Sequence, residues 1–145
     1  MGKKIIISED QLLKLIVGTN VIEEGAKMKC SLVSYEAMNN FLGNKSEKIV
    51  GHNTIAERLG EFEIGIKYHN THIIKIDPTD IITVNTNGWE TKTTKERLNN
   101  FLSCRSVHIT QKKSKWTIHG TNDSLDYIDG MQVFPNGHIA MPVKR

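Results

Sequence analysis

The sequence predicts an α+β fold, and three features carry that expectation. Apolar side chains recur at helical spacing in the first fifty residues. Short β-branched runs, several of them alternating with polar residues, follow between residues 51 and 84. One capped amphipathic stretch near residues 93–102 then interrupts a series of hairpin signals. Together they predict a helical N-terminal arm over residues 1–48 and a ligand-binding core over residues 49–145. The core is an antiparallel β meander with one inserted helix and C-terminal hairpins.

Ser8 can cap a first helix, with Gln11 completing the capping box and Leu12, Leu15 and Ile16 forming its stripe. A second helix is expected over residues 34–42, where Tyr35, Met38, Phe41 and Leu42 share a face and Gly43-Asn44 supplies a stop. The polar residues 44–48 read as a linker. Phe62, Ile64 and Ile66 alternate with Glu63, Gly65 and Lys67, and the runs at residues 73–76 and 81–84 are β-branched. The breaks between them, Gly60-Glu61, His69-Asn70-Thr71 and residues 77–80, are too short for parallel crossovers. Asn87-Gly88 is a turn, and Thr93 or Thr94 caps the inserted helix, Thr93 pairing with Glu96 as a capping box. Leu98, Phe101 and Leu102 form its buried face. Residues 107–110 and 116–119 read as one hairpin, and residues 132–134 and 138–140 as another around Pro135-Asn136-Gly137.

With 145 residues, 38% of them apolar and 24% charged, the chain has the balance of a soluble globular domain rather than a long disordered one. No apolar run is long enough for a membrane span, and Lys3-Lys4 before three isoleucines does not make a signal peptide. The net charge of +3 is mild but uneven. Residues 91–115 hold seven basic side chains and one acid, whereas residues 116–130 hold three acids and neither Lys nor Arg. Such a stretch can attract phosphate, or simply be a solvated face. Cys30 and Cys104 are the only cysteines and form no CxxC, so reduced thiols in an intracellular protein are expected.

The six histidines are dispersed without metal-ligand spacing, and no GxSxG, P-loop or local Cys–His signature occurs, so neither a metal site nor catalysis is expected. The segment over residues 85–99 is richer. A helix N-terminus suits phosphate, and Thr93, Thr94 and Lys95 lie where they can add hydrogen bonds and charge. Trp89 offers a face for base stacking, and Asn99 can both donate to and accept from a base edge. The competing assignment makes Trp89 a core residue, Thr93 a plain cap and Asn99 a surface residue.

Three motifs carry a resemblance: Gly51-His52-Asn53-Thr54, the run from Gly88-Trp89 through Thr93-Thr94-Lys95-Glu96-Arg97-Leu98-Asn99, and Tyr127-Ile128-Asp129-Gly130-Met131. They span about residues 51–131, and the middle one is the specific part. In them the chain resembles the Thoeris anti-defence 1 family of phage proteins. The resemblance implies a non-enzymatic sponge, without a cofactor, that sequesters cyclic ADP-ribose isomers made by TIR-domain immune proteins and also takes cyclic oligonucleotides. It implies Trp89 stacked on adenine, Asn99 on the adenine edge, and Arg58, Lys113 or Lys115 on phosphate. It further implies a homodimer, or in some members a hexamer, acting in the host cytoplasm. A small monomer face encloses a nucleotide poorly, so the pocket is expected between subunits. The alternatives are a small phage nucleic-acid-binding module that uses the basic stretch, and a protein-interaction inhibitor of a host enzyme that uses the N-terminal helices.

Overall fold

The computed structural model describes residues 30–142. The first expected helix, with Ser8, Gln11, Leu12, Leu15 and Ile16, lies outside the described residues. A 3-10 turn at Cys30–Leu32 leads into α1 (Tyr35–Leu42). Ser34 caps α1 as expected: its hydroxyl accepts the Ala37 N–H at 3.1 Å. Met38 and Leu42 on the predicted face are buried, and α1 lies against the second and third strands.

The strands are β1 (Glu47–Gly51), β2 (Thr54–Gly60), β3 (Glu63–Tyr68), β4 (Thr71–Ile76) and β5 (Ile82–Val84), followed by α2 (Lys92–Leu102). Then come β6 (His108–Lys112), β7 (Lys115–His119), β8 (Ser124–Asp126), β9 (Gln132–Val133) and β10 (Ile139–Ala140). They form a seven-stranded sheet in the order β1-β2-β3-β4-β5-β9-β10 and a three-stranded sheet β6-β7-β8, with antiparallel pairing throughout. The α+β meander is therefore the observed fold. Ile64, Ile66, Ile73, Ile74, Ile76, Ile82 and Val84 fill the core from the large sheet. Ile109, Trp116 and Ile118 enter it from the small one, and Leu98, Phe101 and Leu102 from α2, as expected.

Three local expectations change, and one strand arises without a sequence signal. Residues 44–48 are not all linker, because Glu47 and Lys48 open β1 and pair with Glu57 and Ala56 of β2. β2 itself has no sequence signal: Ala56-Glu57-Arg58-Leu59 favours a helix locally. It becomes a strand because β1 and β3 satisfy its backbone from both sides. The cap of α2 is Thr91, not Thr93 or Thr94. Thr91 is extended (φ −102°, ψ 163°) and its hydroxyl accepts the Thr94 N–H at 3.2 Å, which leaves Thr93 inside the first turn.

The third change concerns the cysteines, which are paired as a disulfide across 74 positions with Cα atoms 5.3 Å apart. The fold brings the 3-10 turn at Cys30 beside a second one, Ser103–Arg105, that follows α2. Arg105 ties the same region together. It is 8% exposed and donates to the carbonyls of Asp80, Val133 and Val33. Burial lowers its pKa from the usual guanidinium range, while nearby Asp80 acts to raise it.

Candidate functional site

Three turns converge on an open cleft of about 360 Å³. The first is the tip of the β3–β4 hairpin, where Tyr68 and Thr71 are opposed and His69 (φ 55°) makes the tight two-residue connection with Asn70. The second is the turn Thr86-Asn87-Gly88-Trp89, and the third is the start of α2. The lining comprises Tyr68, His69, Asn70, Thr71, Ile73, Thr86, Trp89, Thr91, Thr93 and Thr94. Its surface is thus aromatic rings and hydroxyls around one apolar floor residue.

The Trp89 turn is held from below. Asn87 and Gly88 both take positive φ (52° and 83°), which these two residue types tolerate best. The Trp89 N–H donates to the Thr86 carbonyl at 2.9 Å. Thr86 is fully buried, and its N–H and hydroxyl both donate to the Asp129 carboxylate, at 2.8 and 2.9 Å. The Tyr127 hydroxyl donates to the same Asp129 oxygen at 2.7 Å. Burial first, and then the Asp129 bond, push the Tyr127 hydroxyl far above the usual phenol range, so it remains a donor at any ordinary pH. The third motif of the sequence thus has a physical job: Asp129 fixes the turn that presents the indole. Trp89 itself is 63% exposed at the rim of the cleft, and the assignment of Trp89 to the core is ruled out.

Of the residues singled out in the sequence, the structure brings Trp89, Thr93 and Thr94 together on this cleft. It does not bring the others there. The Asn99 amide faces β6: its Nδ2 donates to the Ile109 carbonyl at 3.0 Å and its Oδ1 accepts the Ile109 N–H at 2.7 Å. It reads a backbone edge with the two-point geometry expected for adenine, so that role is corrected to one of pinning β6 to α2. Asn99→Ala should cost about 1–2 kcal/mol of stability, because both Ile109 groups lose their partner. Chemical denaturation measures this, and an unchanged midpoint would contradict the pinning role.

Arg58 likewise closes the end of α1. Its guanidinium donates to the Asn39 side chain at 2.7 Å and to the carbonyls of Asn39, Gly43 and Lys45. Four of its five N–H donors are thus used around the end of α1, and it does not line the cleft. Lys95 reaches Gln111 at 3.0 Å, on the β6 side of α2. Lys113 forms the tip of the β6–β7 hairpin, and Lys115 beside it pairs with Asp126 at 3.2 Å. None of these three lysines lines the cleft. Within the basic stretch, Arg105 is buried, Lys95 is bonded to Gln111 and Lys115 is paired with Asp126.

Sequence reasoning missed Tyr68, His69, Asn70 and Thr71, which the β3–β4 hairpin brings to the cleft. It also passed over Arg97. A second depression of about 380 Å³ is lined by His52, Tyr68, Thr93, Glu96, Arg97 and Asn100, sharing Tyr68 and Thr93 with the first. The Arg97 guanidinium lies 5.1 Å from the centroid of the Tyr68 ring. The helical interval from Thr93 to Arg97 was legible in the sequence and would have flagged it.

A family model described as Kyanoviridae Gp96 protein matches residues 33–135, more than half of the chain and nearly all of the described fold. The chain belongs to the Kyanoviridae Gp96 protein family. It is accordingly a phage protein. The Gp96 match includes α1, both clefts, Asp129 and the strands β1 to β9. No curated protein and no solved structure matches this Gp96 member. Among the described residues, no helix is long and apolar enough to cross a membrane.

Proposed function

We propose that this phage protein binds a cyclic ADP-ribose type signal and holds it without cleaving it, so that TIR-based Thoeris immunity is not triggered. One observation carries the reading. An indole that a folded chain would ordinarily bury stands 63% exposed on the rim of a cleft lined with hydroxyls, beside the first turn of a helix. An exposed tryptophan supplies a stacking face for a purine, worth about 1–3 kcal/mol per base. Threonine hydroxyls and the positive end of α2 suit ribose and phosphate oxygens. The half-buried Asp129 and the buried Thr86 fix the turn in advance, so little ordering is left for binding to supply.

The reading includes a second subunit that closes the cleft, because one chain covers only one side of the indole, and it places the protein in the host cytoplasm. The experiment is direct. The protein is incubated with a cyclic ADP-ribose isomer, freed of unbound ligand, heat-denatured, and the released nucleotide is chromatographed. Intact nucleotide in stoichiometric amount is the expected result. A linear product would overturn sequestration, and no recovered nucleotide would overturn binding. A parallel titration with single-stranded oligonucleotides separates the nucleic-acid alternative, which requires affinity that grows with length and falls steeply with salt.

A further inference from the structure

We propose that the depression around Arg97 is the anion subsite of the same binding site and takes a pyrophosphate group. This rests on the reading of the Trp89 cleft as a nucleotide site, since the two depressions share Tyr68 and Thr93. A ligand whose base stacks on Trp89 has a continuous path along these two residues to Arg97.

Arg97 differs from every other arginine of the described fold in having its donors unspent. Arg58 gives four hydrogen bonds to the end of α1, and Arg105 gives three to buried carbonyls. The Nε of Arg97 is buried with no hydrogen-bond partner, and it is the one buried side-chain nitrogen or oxygen among the described residues left in that condition. Folded proteins pair nearly all such groups, so an isolated exception points to a partner that binds. The guanidinium is stacked over the ring of Tyr68, which is itself 8% exposed. The ring contact positions the guanidinium, whose planar fork suits paired phosphate oxygens.

The helix adds to this. Thr93, Glu96, Arg97 and Asn100 follow one another at helical spacing along one side of α2, so a hydroxyl and an amide flank the guanidinium. Glu96 is the carboxylate of the depression, and it is exposed, free to turn into water as an anion enters. His52 also lines it. Arg58, Lys113 and Lys115, the cations expected on phosphate from the resemblance, are engaged elsewhere or remote, so Arg97 takes that role.

Two probes separate this subsite from the base site: inorganic pyrophosphate and adenosine. In the wild-type protein, pyrophosphate should move the Arg97 Nε–H resonance, and calorimetry should show saturable binding. Arg97→Gln should weaken pyrophosphate by about tenfold to a hundredfold and leave adenosine within about twofold. Arg97→Lys keeps the charge without the planar fork and should fall between. Pyrophosphate that binds Arg97→Gln as well as wild type, or that leaves the Arg97 resonance unmoved, overturns the subsite. Because the resonance is read in the wild-type protein, a variant that fails to fold does not remove the test. Failure of the wild-type protein to bind cyclic ADP-ribose while pyrophosphate still binds at Arg97 would sink the proposed function and leave the anion site standing.

Discussion

Asp129→Ala is expected to destabilise the chain by about 3–5 kcal/mol, the largest effect of any single cleft substitution. The carboxylate accepts from the Thr86 N–H, the Thr86 hydroxyl and the Tyr127 hydroxyl, and both donor residues are buried. Removing the acceptor leaves three donors, carried by two buried residues, without their partner. Tyr127→Phe removes only one of these bonds and should cost about 1 kcal/mol, which makes it the internal control. Urea unfolding with linear extrapolation gives both values. A loss below about 1 kcal/mol for Asp129→Ala would show that the network does not hold the Trp89 turn. Ligand affinity should fall in the same variant even at temperatures where it remains folded, because the turn that presents the indole is released.

Trp89→Ala should act in the opposite manner, with a large loss of binding and almost none of stability. The side chain is 63% exposed, so its removal empties no core space, and unfolding free energy should stay within about 0.5 kcal/mol of wild type. Loss of one base-stacking contact predicts cyclic ADP-ribose affinity lower by about tenfold to a hundredfold. Trp89→Phe keeps a smaller ring and should recover part of it. Calorimetric titration of the three proteins decides the matter. Equal affinity in a folded Trp89→Ala variant would remove the indole from the site.

These two residues also show why the sequence reveals some of the site and hides the rest. Trp89, Thr93 and Thr94 sit within six positions of one another, so a turn followed by a helix start was enough to place them together. Asn99 lies on the same helix, yet its amide is claimed by Ile109, a residue of the neighbouring strand β6. An asparagine offers the same donor and acceptor to a base edge and to a backbone edge, and local spacing does not tell the two apart. Arg58 poses the same problem. Its guanidinium suits phosphate, but the uncapped carbonyls at the end of α1 come into its reach once β2 pairs with β1. Arg97 is the converse case, a cation inconspicuous in a basic stretch whose unpaired nitrogen is visible only after the helix has been laid over Tyr68.

Among the described elements, local chemistry was sufficient for α1 and its serine cap, the apolar strands β3 to β5, the buried face of α2, the Asn87-Gly88 turn and the two hairpins. Each depends on periodicity or on a dihedral preference that a few neighbouring residues impose. Tertiary structure alone decided that Ala56 and its neighbours form a strand, that Cys30 meets Cys104, that Asp129 supports the Trp89 turn, and which arginine keeps a buried nitrogen without a hydrogen-bond partner. Those outcomes depend on which partners reach a polar or uncommitted group, and those partners lie outside the local window, from neighbouring strands in the case of Ala56 to 43 and 74 residues away for Thr86 and Cys30.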